Sequence, residues 1–201
     1  MENIPEYLKV EGTVVKGIRQ DVDRNSIKEI EIPEGVTEIA GYAFEDCESL
    51  TSVKIPVSVS SIGAIAFSNC KSLVSINIPK GITEIETGTF AHCESLASVE
   101  IPEGVTSIEP YAFEGCESLT SVKIPVSVVD IGSFAFYECA SLARIAIPEG
   151  VTSIGEYAFG GCANLEIVEY GGTKEQWKQI PVEERSKIGT FIIHCTDGDI
   201  T

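Results

Sequence analysis

The chain has 201 residues, 43% of them hydrophobic and 22% charged, with 31 acidic against 14 basic side chains and a net charge of −17. That much apolar material supports a continuous core and excludes a disordered chain, while the charge disfavours nucleic acid and anionic membrane surfaces as partners. No stretch approaches the ~20 apolar residues of a membrane-spanning helix, so no membrane insertion is expected.

Residues 1–26 carry an imperfect pattern. Tyr7, Val10, Val14, Val15 and Ile18 are apolar and Gly12 and Gly17 stand as turn points, which predicts a short hairpin or pair of strands acting as an N-terminal cap. From Ile27 a repeat of 23 residues runs without insertion or deletion through six complete copies, residues 27–164. Counted from Ile27, Leu50, Leu73, Leu96, Leu119 or Leu142, each copy has Ile or Val at the fourth place, Ile-Pro at the sixth and seventh, Val or Ile at the tenth, Ile at the thirteenth, Phe at the eighteenth and Cys at the twenty-first. Such timing belongs to stacked turns of a solenoid and leaves no room for an independent domain.

Within one copy the first six residues alternate inward and outward, as in Ile30 and Ile32 against Glu29 and Glu31, and read as a strand. Stacked copies would set these strands side by side in a parallel sheet, and each proline would end its strand because it donates no ladder bond. A second short extended segment follows, for example residues 105–108. Ala112, Phe113 and Cys116 then fit a single helical or tight helix-like turn. The expected fold is a mainly β or α/β-type right-handed solenoid of 23-residue coils, with a parallel sheet on one face and short helical turns opposite. Residues 42–60 and 111–129 differ only at Asp46/Gly115 and Ser60/Val129, so a block of three copies was duplicated.

After Cys162 the pattern changes. Residues 165–201 predict a seventh strand on Leu165, Val168 and Tyr170, a short helix capped by the Thr173-x-x-Gln176 form with Trp177 folded onto the last coil, and a closing strand on Ile188, Phe191 and Ile193. Asp197-Gly198 is a turn signal.

The run IPEGVTSIEPYAFEGCESLTSVKIP resembles the BspA-like class of bacterial leucine-rich repeats, as does the tail with Tyr170-Gly171-Gly172-Thr173, Gln176-Trp177 and Cys195-Thr196-Asp197-Gly198. The resemblance covers most of residues 27–198. It implies a leucine-rich repeat fold, a non-catalytic protein-binding or adhesion module of a cell-surface or secreted protein, and an extracellular matrix or microbial surface protein as partner. It carries no catalytic residues and no cofactor. The start, MENIPEYLKVEG, lacks the basic and apolar regions of a secretory signal, which leaves a cytoplasmic place open.

The residues themselves leave alternatives open. Six cysteines recur every 23 residues rather than in the close pairs of a zinc module, so buried free thiols are expected ahead of disulfides or metal. His92 falls at a turn place and His194 faces away from Cys195, which argues against a catalytic dyad. A purely structural spacer is the nearest rival to a binding module, and a carbohydrate-binding or carbohydrate-active protein a more distant one. A monomer is expected. The candidate protein-binding face is the C-terminal end of the open sheet, Ser121, Lys123, Arg144, Ala146, Ile167 and Glu169, where small, basic and apolar residues interrupt an acidic surface. Tyr42, Ile65, Gly88, Tyr111, Phe134 and Tyr157 at the sixteenth place form a rival row, read first as packed against the preceding turn.

Overall fold

The computed structural model describes residues 4–181 and 191–200. Leu8–Glu11 (β1) and Val14–Ile18 (β2) form an antiparallel hairpin, and β2 then pairs in parallel with Glu38–Ile39 (β4) of the first coil. The hairpin thereby supplies the neighbour that the first coil's second-face strand otherwise lacks. Gly17, expected at a turn, lies inside β2: at φ +127 a Cβ there would sit 2.3 Å from the Ala43 carbonyl oxygen. The missing side chain lets the cap close onto the coil.

Each coil contributes two short strands. The open sheet face is built from β3 (Glu29–Glu31), β5 (Ser52–Lys54), β7 (Ser75–Ile76), β9 (Ser98–Glu100), β11 (Ser121–Lys123), β13 (Arg144–Ile147) and β15 (Ile167–Tyr170). The second face holds β4, β6 (Ser61–Ile62), β8 (Glu84–Ile85), β10 (Ser107–Ile108), β12 (Asp130–Ile131) and β14 (Ser153–Ile154). Pairing joins like positions of successive coils, Glu29 with Ser52 and Ser98 with Ser121, so the chain winds as a right-handed solenoid in strict register. Alternation does the sorting: Val122 is buried between exposed Ser121 and Lys123. The proline then turns the chain, with the Val36 amide donating to the Pro33 carbonyl and the same bond in each later coil, as from Val105 to Pro102.

The third side is a chain of overlapping turns. The amides of Ala43, Glu45 and Cys47 donate back to Ala40, Tyr42 and Phe44, while those of Tyr42, Phe44 and Asp46 donate outward to Ala64, Ala66 and Ser68 of the next coil. Helical structure among the described residues is confined to a single 3-10 turn at Arg24–Ser26 and the helix α1, Lys174–Gln179. This double bonding requires left-handed backbone at the sixteenth and twentieth places, where Tyr42, Ile65, Gly88, Tyr111, Phe134 and Tyr157, and Asp46, Asn69, His92, Gly115, Glu138 and Gly161, all have φ between 52 and 71. For a β-branched residue such as Ile65 that conformation is strained, and the bonds to the neighbouring coil hold it.

The core is one continuous stack. Phe44, Phe67, Phe90, Phe113, Phe136 and Phe159 follow one another with ring centroids 5.3 to 5.7 Å apart. Beside them each thiol from Cys70 to Cys162 points at the carbonyl oxygen of the phenylalanine 26 positions earlier, at 3.1 to 3.3 Å. Thr89 stands where the other coils carry alanine. Its buried hydroxyl donates to the Glu86 carbonyl at 2.7 Å, so the substitution leaves no polar atom unpaired.

That third coil is also where the strand ladders break. On the open face β7 pairs with β5 but not with β9, and on the second face β8 pairs with β10 but not with β6. One strand of the coil therefore belongs to the N-terminal half and the other to the C-terminal half, while the turn side stays bonded throughout, as from Ile65 to Thr87 and Gly88 to Pro110.

At the C-terminal end Thr173 caps α1 through a reciprocal bond pair with Gln176, and Trp177 packs edge-on against Tyr170 at 5.1 Å. The closing strand β16 (Ile192–Cys195) then pairs with β15, and β17 (Gly198–Ile200) folds back antiparallel on it. The spacing of Ile188, Phe191 and Ile193 matches the first, fourth and sixth places of a coil, which predicts Ile193 at a sixth place. Its partner is Val168, at the fourth place, so the strand enters two residues out of the repeat's timing. Ile188 lies outside the described residues.

Candidate functional site

The open face presents two outward rows. One is Glu29, Ser52, Ser75, Ser98, Ser121, Arg144 and Ile167; the other is Glu31, Lys54, Asn77, Glu100, Lys123, Ala146 and Glu169. Side chains two apart on a strand share a face, so Ser121 with Lys123, Arg144 with Ala146, and Ile167 with Glu169 all project from the same side. Register then brings the six candidate residues together: Lys123 lies beside Ala146, Arg144 beside Ile167, and Ala146 beside Glu169.

Charge on this face is already partly paired. Lys54 bonds to Glu31 and Lys123 to Glu100, the latter at 2.7 Å, and the bond holds the Lys123 ammonium above and the Glu100 carboxyl below its ordinary value. The Arg144 guanidinium reaches diagonally to Glu169, with Nη1 2.8 Å from Oε1, instead of standing alone as its row suggests. The contact is solvent-exposed and uses the Nη1 donor of a fork that carries five N–H groups.

Two residues of this surface escaped the sequence reading. The offset of the closing strand places Ile192 beside Ile167 and His194 beside Glu169, which lengthens both rows by one. Ile192 is 40% exposed and joins Ile167 in an apolar step beyond Arg144. His194 Nδ1 lies 2.7 Å from Asp199 Oδ1 on β17. Because the closing strand enters 25 rather than 23 positions after Ile167, counting by the repeat points to the wrong residues. At the rim of the face Val126, Ala146, Pro148 and Tyr170 border a shallow hollow of about 280 Å³.

All seven cysteines are unlinked, and six are buried. Burial favours the neutral thiol, raising the Cys116 pKa to about 12 and pushing those of Cys70 and Cys93 well up as well. Cys195 is half-buried and is also raised, by burial first and by Asp197 second. His92 sits at a left-handed turn position, 3.9 Å from Glu114. No cluster of three metal-ligating side chains occurs among the described residues, and no helix among them is long and apolar enough to cross a membrane.

The rival row divides between burial and exposure. Tyr111, Phe134 and Tyr157 stack face to face at 5.1 and 5.3 Å, which covers both ring faces of Phe134 and one face each of the two tyrosines. Tyr42 and Tyr111 remain 56% and 40% exposed, at points where the aromatic series is interrupted by Ile65 and Gly88.

Comparison with known proteins matches this architecture. A family model for the BspA type leucine rich repeat region fits in six copies, over residues 22–111 and 83–196. The crystal structure of a leucine-rich repeat protein of T. pallidum is 32% identical, with 85% of this chain and 86% of that one covered and a TM-score of 0.74. A leucine rich cell surface protein of Faecalibacterium prausnitzii is 40% identical over 77% of this chain, at a TM-score of 0.53, and the match spans 35% of that longer chain. A leucine-rich repeat protein of Eubacterium ventriosum shares the fold at 21% identity and a TM-score of 0.61, over 76% of this chain and 46% of that one. No curated protein matches the chain significantly. The coil of Ile-Pro strand, paired second strand and Ala-Phe-Cys turn side, repeated through six family copies, shows that the chain belongs to the BspA type leucine-rich repeat family, a non-catalytic module of the adhesion and protein-binding kind.

Proposed function

We propose that this chain binds a protein at a cell surface or in the extracellular space, and that the partner docks on the C-terminal part of the open sheet around Ser121, Lys123, Arg144, Ala146, Ile167 and Glu169, with Ile192 continuing the contact. The observation that carries this reading is the exposed Arg144–Glu169 pair set against Ile167 and Ile192 on adjoining strands. Elsewhere the rows offer serine and compensated Lys–Glu pairs; here a planar cation stands beside apolar area that can exclude water from it. The strands are held on both sides, so the partner meets side chains already in place and binding loses little to ordering. The cell-surface description of the Faecalibacterium prausnitzii relative supports the location.

Titration against immobilised matrix and microbial surface proteins tests the reading. Arg144→Glu is expected to weaken binding at least about tenfold, roughly 1.4 kcal/mol, with the melting temperature nearly unchanged because the pair it breaks is exposed. Glu114→Lys on the turn side should have much less effect. A silent Arg144→Glu with a damaging Glu114→Lys would move the site to the turn surface. Binding to none of these proteins would favour the structural spacer.

A further inference from the structure

The eighth residue of each coil follows the proline and stands on the ridge where the open face bends into the second face. Along the axis this row reads Glu34, Val57, Lys80, Glu103, Val126 and Glu149, all exposed. Four coils put a charge there, whereas Val57 and Val126 are 89% and 77% exposed, the two most exposed large hydrophobic residues among those described. Strand register keeps the coils aligned on one face or the other throughout, so neighbours in this row are separated by about one strand spacing, ~4.8 Å.

The central four residues, valine, lysine, glutamate, valine, read the same backwards with the charges exchanged. A two-fold axis between Lys80 and Glu103 would set Val57 against Val126 of a second copy and Lys80 against Glu103, each contact occurring twice. We propose that two copies of this chain pair antiparallel along this ridge, in place of the monomer expected from sequence. A parallel arrangement would oppose Lys80 to Lys80 and Glu103 to Glu103 and is disfavoured. Among the described residues neither Lys80 nor Glu103 lies within ion-pair distance of an opposite charge; Lys80 feels Glu100 and Glu103 feels Lys123 only at longer range, where those two already pair with each other, and both side chains stay exposed. Such same-patch contacts are how closed dimers form. Beyond the valines Glu34 would face Glu149, a like-charge pair that ends the contact and keeps it small. The association therefore sits at the small, weak end of specific contacts.

Sedimentation equilibrium of the full chain from about 10 µM to 1 mM tests this, in ~0.15 M salt where the net repulsion is screened beyond about 8 Å and close pairs survive. A concentration-dependent monomer–dimer mass is expected. Lys80→Glu and Glu103→Lys should each raise Kd tenfold or more, because each change acts twice. Mixing the two variants in equal amounts should restore wild-type association, since every facing pair is then complementary. Both changes in one chain should do the same. Val57→Asp with Val126→Asp should abolish pairing while leaving the melting temperature unchanged, because both side chains are exposed. A monomer up to 1 mM would overturn the proposal. So would a dimer indifferent to the charge changes, or a mixture that associates no better than its components.

Discussion

Phe113 lies between Phe90 and Phe136, with ring centroids 5.4 and 5.3 Å away, so truncating it opens a cavity bordered by three coils. Phe113→Ala is expected to cost about 3–5 kcal/mol in denaturant titration, and Ser98→Ala on the exposed row less than about 0.5 kcal/mol; equal losses would contradict the core assignment. The thiols make a different case. Cys116 is neutral in the fold up to about 12, against 9.0 for an ordinary thiol, so the folded state holds its proton more tightly than the unfolded one. That contribution is complete below about pH 9 and is lost as pH rises from there toward 12, so the melting temperature should fall across this window beyond the loss shown by a Cys116→Ala variant. At about pH 8 the native chain should react slowly with a thiol reagent and release its buried thiols on denaturation, with an intact mass free of disulfides. Inward Phe and Cys were legible from their timing alone. The carbonyl that each thiol meets was not, nor was the left-handed backbone of Ile65 and Phe134, because periodicity reports which way a side chain faces and not how the main chain bends to put it there.

Among the elements, the third coil departs most from its neighbours. The amides of Thr106 and Glu109 donate to Thr83 and Ile85 at 2.8 Å, yet the equivalent amides one coil earlier, Thr83 and Glu86, make no such bond to the second coil. Hydrogen exchange at Thr83 and Glu86 should therefore run at least about tenfold faster than at Thr106 and Glu109. Equal protection would mean that the ladder is intact there in solution. Thr89 and Gly88 mark this coil in the sequence, but the broken ladder itself leaves no periodic signature. Where an element is locally determined the sequence was sufficient: Thr173 and Gln176 form the helix cap, and the apolar pattern around Gly12 forms the hairpin. Gly17 and the closing strand were misplaced for one reason. Each is set by what it packs against, Ala43 in one case and β15 in the other.

At the scale of the molecule, the candidate face was legible because strict register converts counting into proximity, and it was incomplete only where register is lost, at Ile192 and His194. The same register decides how the chain bears tension. The bonds between coils, from strand pairing on two sides and from Tyr42 to Ala64 and Phe44 to Ala66 on the third, all point along the solenoid axis. A pull applied to the two ends strains these bonds in series rather than in shear, so the weakest junction opens first and the load passes to the next. Each coil that peels away frees 23 residues, about 70 Å of slack, and a tether held between two bodies would lengthen by increments while the remaining coils stayed folded.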